Sequence, residues 1–187
     1  MTIGFFKLSP LFYFDIIRKM ITLFVTVAVY YEALCPDSRS FFIKQLLPTY
    51  QKIGDNVQIE LIPYGKTRKS AKGYEFECQH GPVECEANII HACSIAIIKD
   101  ASFQLEYLTC MIKNNMDPTN IMASCAKKLN IDANSILKCY KGERGKELLA
   151  ENGEKTHSLV PKVSFIPTIA LNKLLLESSP SICVNDK

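Results

Sequence analysis

The chain has 187 residues, 48% of them apolar, with 22 basic and 19 acidic side chains, a net charge of +3 and eight cysteines. That is enough apolar material for one substantial core, so the expectation is a single domain with an insertion. So small a charge argues against a nucleic-acid partner: Lys66, Arg68, Lys69 and Lys72 are flanked only by Tyr64 and Tyr74, and a solvated loop accounts for them.

Residues 1–20 are greasy, but Pro10 and Asp15 interrupt the run, Lys7 is the only early cation and no small-residue cleavage site precedes Arg18. They read as an uncertain leader or signal-like segment. The next run, to Val29, is rich in β-branched residues and too short to cross a bilayer, so no stable membrane span is expected. Ile21 to Tyr31 instead has the pattern of a strand buried on both faces of a layered sheet. From Ser38 to Tyr50, Phe41, Phe42, Leu46 and Leu47 recur at helical spacing, and Pro48 marks the end region. Residues 57–64 alternate and then become apolar, which predicts a second strand and a parallel strand-helix-strand crossover.

Between Tyr64 and about Val160 the periodicity is helical. Ile89, Ile90, Cys93, Ile97 and Ile98 form one stripe, Phe103, Leu105, Leu108 and Met111 a second, and Ile121, Met122, Cys125 and Leu129 a third. Ile136, Leu137, Tyr140, Leu148 and Leu149 form a fourth, with Asp117-Pro118 and Asn130-Ile131-Asp132 as punctuation. Cysteines sit on or beside these stripes, either as disulfides stapling short helices or as buried thiols. Eight cysteines suit an oxidising compartment, although no N-x-Ser/Thr sequon occurs. Strand character returns at 163–171, where Pro167 belongs at a strand start or an edge because it cannot donate to a ladder.

Cys35 stands just before the first helix, where unsatisfied N–H groups and the helix dipole favour a thiolate. Pro36 suits the first turn, and Ser38 can direct its hydroxyl or N–H back at the sulfur, while Asp37 opposes the thiolate with negative charge. Cys78, His80, Cys85, His91 and Cys93 place five potential metal ligands close together, but their spacing fits no paired zinc pattern, so no metal or other cofactor is expected. A disulfide scaffold is the preferred reading of that segment, with a substrate-facing role for Gln79 and His80 as the other. His157 reads as a surface or helix-end residue.

The segment 78–93, with its C-Q-H-G-x-x-E-C-x-x-N-x-x-x-x-C spacing, and Tyr30-Tyr31-Glu32-Ala33-Leu34-Cys35-Pro36-Asp37-Ser38 upstream resemble the gamma-interferon-inducible lysosomal thiol reductase family. The resemblance covers roughly residues 24–172. It implies an α/β thioredoxin-like domain over 21–187 with a cysteine-rich, disulfide-stapled helical insertion at about 66–160. It also implies Cys35 as the nucleophile, Pro167 as a cis-proline opposite it, and Ser38 where the family has its second redox cysteine. The implied partners are disulfide-containing protein substrates and a small thiol reductant, in a secreted or endolysosomal setting. Without a second thiol the site can exchange or isomerise disulfides, and reduces them if a small thiol resolves the intermediate. The alternative is a non-catalytic thioredoxin-like binding protein that lost the redox pair. Reserving Cys35 as a solvent-accessible thiol leaves seven cysteines, hence one more without an internal partner. Residues beyond Asn172 leave little room for a last strand and closing helix, and Cys183 is expected to tie the tail back.

Overall fold

The structure, a computed structural model, describes residues 25–71 and 73–176. The leader-like segment, the start of the predicted first strand, Lys72 and Cys183 lie outside the described residues.

Strand β1 (Val25–Tyr31) leads through the Cys35 turn into helix α1 (Pro36–Phe41), a wide π turn (Phe42–Leu46) and helix α2 (Leu47–Ile53). Pro48 does not end this helix as expected. It falls in the first turn of α2, where its missing N–H is tolerated, and the π turn before it, in which the Leu47 N–H reaches back five residues to the Phe42 carbonyl, carries the axis past the proline. Strand β2 (Val57–Pro63) then pairs parallel to β1 in register Val25–Val57 through Tyr31–Pro63, the predicted crossover.

The insertion does not begin helical. A short antiparallel ladder of β3 (Arg68–Lys69) and β4 (Phe76–Glu77) precedes the helices, and a two-rung ladder is too brief to leave a periodicity. Five helices follow: α3 (Pro82–Ile97), α4 (Ala101–Ile112), α5 (Pro118–Leu129), α6 (Ala133–Lys141) and α7 (Glu143–His157). The fourth apolar stripe therefore covers two helices, separated at Gly142, which ends α6 and opens α7 in extended backbone. The Asp and Asn punctuation works as capping. Asp100, Asp117 and Asp132 each accept a backbone N–H of the following helix, and Asn130 closes α5 in the left-handed region at φ 54°.

The chain returns as β5 (Thr168–Leu171), antiparallel to β1, and a final strand does form: β6 (Leu174–Leu175) pairs with β5 across a turn in which Asn172 and Lys173 have φ of 48° and 70°. The sheet order is β2-β1-β5-β6. Val29, Tyr31 and Leu61 face a core shared with Phe42 and Leu46 and with Ile90, Leu105, Leu108, Met122 and Ile136 of the helices. Insertion and sheet thus have one hydrophobic interior. Ala28, Tyr30, Ile62 and Ala170 form a smaller cluster on the opposite face.

Three disulfides staple the insertion: Cys78–Cys85, Cys93–Cys139 and Cys110–Cys125. Cys35 is disulfide-bonded too, and no described cysteine is a free thiol, so the expectation of a standing Cys35 thiol and of a second leftover cysteine is corrected.

Candidate functional site

The turn after β1 is held from the backbone outward. Cys35 is the N-cap of α1 with Pro36 at its first position, and the Cys35 sulfur accepts the Ser38 N–H at 3.5 Å. The sulfur also lies 3.7 Å from the Ile166 carbonyl oxygen, a packing contact while the sulfur is in a disulfide and has no hydrogen to donate. The Ile166–Pro167 peptide is cis, and Ile166 and Val163 pack around Cys35. The sequence-predicted residues Cys35, Ser38 and Pro167 therefore come together at one place. Cys35 is fully buried there, against the expectation of solvent access, because both the disulfide and this packing enclose it.

Ser38 is equally enclosed, and its hydroxyl accepts the Glu32 N–H at 3.4 Å. Its Oγ closes the turn.

The signature segment supplies the rest of the grip. Glu84, Asn88 and His91 stand at helical spacing on one face of α3, all buried. Asn88 Oδ1 accepts the Ala33 N–H at 3.0 Å, and Glu84 Oε2 accepts the Leu34 N–H at 3.3 Å. Asn115, in the loop after α4, donates from Nδ2 to the Ala33 carbonyl at 3.2 Å and to His91 Nε2 at 3.1 Å. With Nε2 accepting, the neutral imidazole carries its proton on Nδ1 and donates to the Tyr31 hydroxyl at 3.0 Å. Burial holds the His91 imidazole down to about 3, so it is an uncharged spacer between strand and loop.

Behind the turn, Glu32 is enclosed, with Oε1 accepting the Lys66 N–H at 2.6 Å. Glu84 accepts from His80 twice, at Oε1 from the backbone N–H (3.0 Å) and at Oε2 from Nδ1 (2.6 Å). Glu32 Oε2 has no hydrogen-bond partner, and His80 Nδ1 is 3.6 Å from it. Burial first, and the Glu84 charge second, raise the Glu32 carboxyl to about 8. The ligand-type atoms of Glu32, His80 and Glu84 lie within 4.8 Å of one another, but hydrogen bonds already join His80 to Glu84. The metal-like cluster read from sequence is not assembled: Cys78 and Cys85 are bonded to each other and Cys93 to Cys139, while His91 faces Tyr31 and Asn115. His80 turns toward the buried carboxyls, against the substrate-facing reading. His157 ends α7, exposed, with its ring edge-on to Tyr64 at 5.4 Å.

Sequence reasoning gave Glu32, Glu84, Asn88, His91 and Asn115 no role in the turn. The spacing of Glu84, Asn88 and His91 along one helix face, and a glutamate ending an apolar strand, were the available signals; Asn115 had none. Beside the turn, Leu34, Arg39, Ile112, Asn114, Asn115 and Met116 line a small cleft of about 70 Å³.

The family model described as gamma interferon inducible lysosomal thiol reductase matches residues 26–129. Among curated relatives, the Anopheles gambiae gamma-interferon-inducible lysosomal thiol reductase-like protein is 34% identical, over 80% of this chain and 68% of its own length. The Carassius auratus gamma-interferon-inducible lysosomal thiol reductase is 36% identical, over 79% and 59%, and the Mus musculus protein of that name 33% identical, over 80% and 61%. The chain thus spans only about 59 to 68% of these relatives' length. Among solved structures, oxidised BdbD from Bacillus subtilis superposes with a TM-score of 0.59 at 15% identity, covering 82% of this chain and 79% of that one. DsbA from Chlamydia trachomatis gives 0.58 at 16%, covering 82% and 78%. At such identities the likeness shows the fold, a thioredoxin-like domain carrying a helical insertion. Family match and relatives together place the chain in the gamma-interferon-inducible lysosomal thiol reductase family.

Proposed function

We propose that the protein is a thiol-disulfide oxidoreductase that reduces or isomerises protein disulfides through Cys35, in an endolysosomal lumen or outside the cell. The observation that carries this reading is the setting of the Cys35 sulfur: it caps a helix, accepts the Ser38 N–H at 3.5 Å and sits against the residue of the cis Ile166–Pro167 peptide. A donated hydrogen bond and a helix start both favour the thiolate form. The relatives' name, thiol reductase, supports the same chemistry.

In operation a small thiol attacks the sulfur bonded to Cys35; that S–S bond breaks, Cys35 leaves as the thiolate, and the small thiol stays on the other sulfur as a mixed disulfide. The Cys35 thiolate then attacks one sulfur of a substrate disulfide; that S–S bond breaks, the other sulfur leaves as a thiolate and takes up a proton, and a mixed disulfide remains. Ser38 has no sulfur to break it. Reduction is completed by a second small thiol, whereas isomerisation is completed by another thiol of the substrate. The buried, hydrogen-bonded Ser38 hydroxyl favours a second reading, a binding protein in which the position has become part of the turn.

Ser38 separates the two readings. The reduced protein should accumulate a mixed disulfide with a denatured disulfide-containing substrate, and Ser38→Cys should release it and raise turnover with a dithiol reductant. Reduction of insulin disulfides and the trapped complex are measured for wild type and Ser38→Cys, with Cys35→Ser as control. No trapped complex in the first and no gain in the second would leave the binding protein as the correct reading.

A further inference from the structure

We propose that Glu32 and Glu84 are positioning residues, a buried carboxyl pair sharing one proton that holds the Cys35 turn in its reactive shape. The proposal rests on the reading that Cys35 is the reacting sulfur.

Both side chains are fully enclosed and their nearest ligand-type atoms lie within 4.8 Å, so two negative charges would face each other without water. The hydrogen bonds assign the proton. Glu84 accepts three donors, the Leu34 N–H and both His80 groups, which leaves it acceptor on both oxygens. Glu32 Oε1 accepts from Lys66 N, while Oε2 is the enclosed oxygen with no hydrogen-bond partner; a proton there removes a buried, unpaired charge and gives Oε2 a hydrogen to direct at the Glu84 carboxylate. The raised Glu32 carboxyl agrees with this.

The groups facing the pair are few. His80 comes from the turn before α3 and Lys66 from the turn after β2, while Ser38 of α1 and its N-cap Cys35 meet the Glu32 backbone rather than its carboxyl. The pair therefore ties three turns together: 32–35, 65–67 and 78–81. Through Leu34 N–H and through Glu32, whose own N–H meets Ser38 Oγ and whose carbonyl accepts the Cys35 N–H at 3.3 Å, its geometry passes directly to the residue that bears the sulfur. Loss of the shared proton leaves two buried carboxylates within 4.8 Å of each other and pushes that turn apart.

Two measurements test this. In a protein with carbon-13 at the glutamate side-chain carboxyl, one glutamate should titrate near pH 8, and that resonance should vanish in Glu32→Gln; in Glu84→Gln it should move to lower pH, a second variant if the first fails to fold. In the reduced protein, the rate of Cys35 with a small aromatic disulfide, divided by its thiolate fraction, should fall about tenfold for each pH unit above the pair's titration, as loss of a single proton requires. Glu32→Gln should abolish that fall, whereas a purely structural glutamate would scale the rate at every pH alike. A carboxyl spectrum in which every glutamate titrates below about pH 6, or a Glu32→Gln profile parallel to wild type, overturns the proposal. So does stoichiometric zinc binding that erases the alkaline titration, which would make the trio with His80 a cation site. Cys35→Ser tests the underlying reading separately: reduction that persists without Cys35 removes the catalytic assignment, while the carboxyl titration does not depend on it.

Discussion

At Gly65 the chain has room for a hydrogen and nothing larger. Its φ is +57°, and an added Cβ would stand 2.3 Å from Glu32 Cγ and 2.5 Å from Glu32 Oε1. Gly65→Ala therefore combines a left-handed backbone penalty with a clash against an enclosed side chain, and should cost about 2–4 kcal/mol in urea unfolding. It should also slow Cys35 chemistry, because Glu32 must move and the Leu34–Cys35 backbone moves with it. An unchanged unfolding midpoint would mean that Glu32 has slack the packing does not suggest. Gly65 carries no mark in the sequence. Its constraint comes from a contact 33 positions away, and local pattern cannot register that. Cys35 and Ser38 were legible because their chemistry is local, a thiol before a helix and a hydroxyl one turn on, whereas local pattern marked Pro167 only as opening a strand and the family resemblance set it opposite Cys35. Their burial was not legible. Cys35 should accordingly resist alkylation until mild reduction and then react before the six staple cysteines, as mass-spectrometric mapping of labelled peptides will show. Earlier labelling of Cys78, Cys93 or Cys110 would contradict that order.

The elements of the insertion are held by crosslinks whose spans differ widely. Cys93–Cys139 closes 46 residues, Cys110–Cys125 closes 15 and Cys78–Cys85 only 7. In the chain-entropy account these restrict the unfolded ensemble by about 4, 3 and 2 kcal/mol respectively. The pair joining α3 to α6 should therefore be the most costly to remove. Replacing both members of each pair with alanine and measuring denaturant midpoints checks the order, and equal losses would point to native packing around the sulfurs instead. The helices themselves were readable because each buries a stripe, and three of the five, α4, α5 and α6, begin on a capping aspartate. Less readable were the β3–β4 ladder, whose residues sit in a polar stretch, and the division of the fourth stripe, where Gly142 changes the chain direction without interrupting the apolar period. Residues beyond Asn172 looked too few for a strand, yet β6 needs only two rungs once Asn172 and Lys173 accept positive φ.

Across the whole molecule, two enclosed groups on either side of the Cys35 turn set opposite pH slopes on stability. The Glu32 carboxyl rises from 4.5 to about 8 on folding, so the folded state holds a proton that the unfolded chain releases. Its stabilisation is complete below about pH 4.5 and is lost as pH rises to about 8. His91 behaves oppositely. Its imidazole falls from 6.5 to about 3, so the unfolded chain takes up a proton that the folded state refuses, and its stabilisation is complete above about pH 6.5 and lost as pH falls toward 3. Each slope is about 1.4 kcal/mol per pH unit, and between 4.5 and 6.5 they oppose and cancel. The expected stability curve is thus flat across that acidic window and falls on both flanks. Denaturant unfolding at half-unit intervals from about pH 3.5 to 8.5 measures it, and Glu32→Gln should level the alkaline flank and extend the acid slope up to about pH 6.5, where nothing then opposes His91. A curve that climbs steadily to neutral pH would show that Glu32 does not hold its proton in the folded chain. A flat top in acid is the profile suited to the endolysosomal lumen proposed for this protein, and it arises from the buried glutamate and histidine that also fasten the turn bearing Cys35.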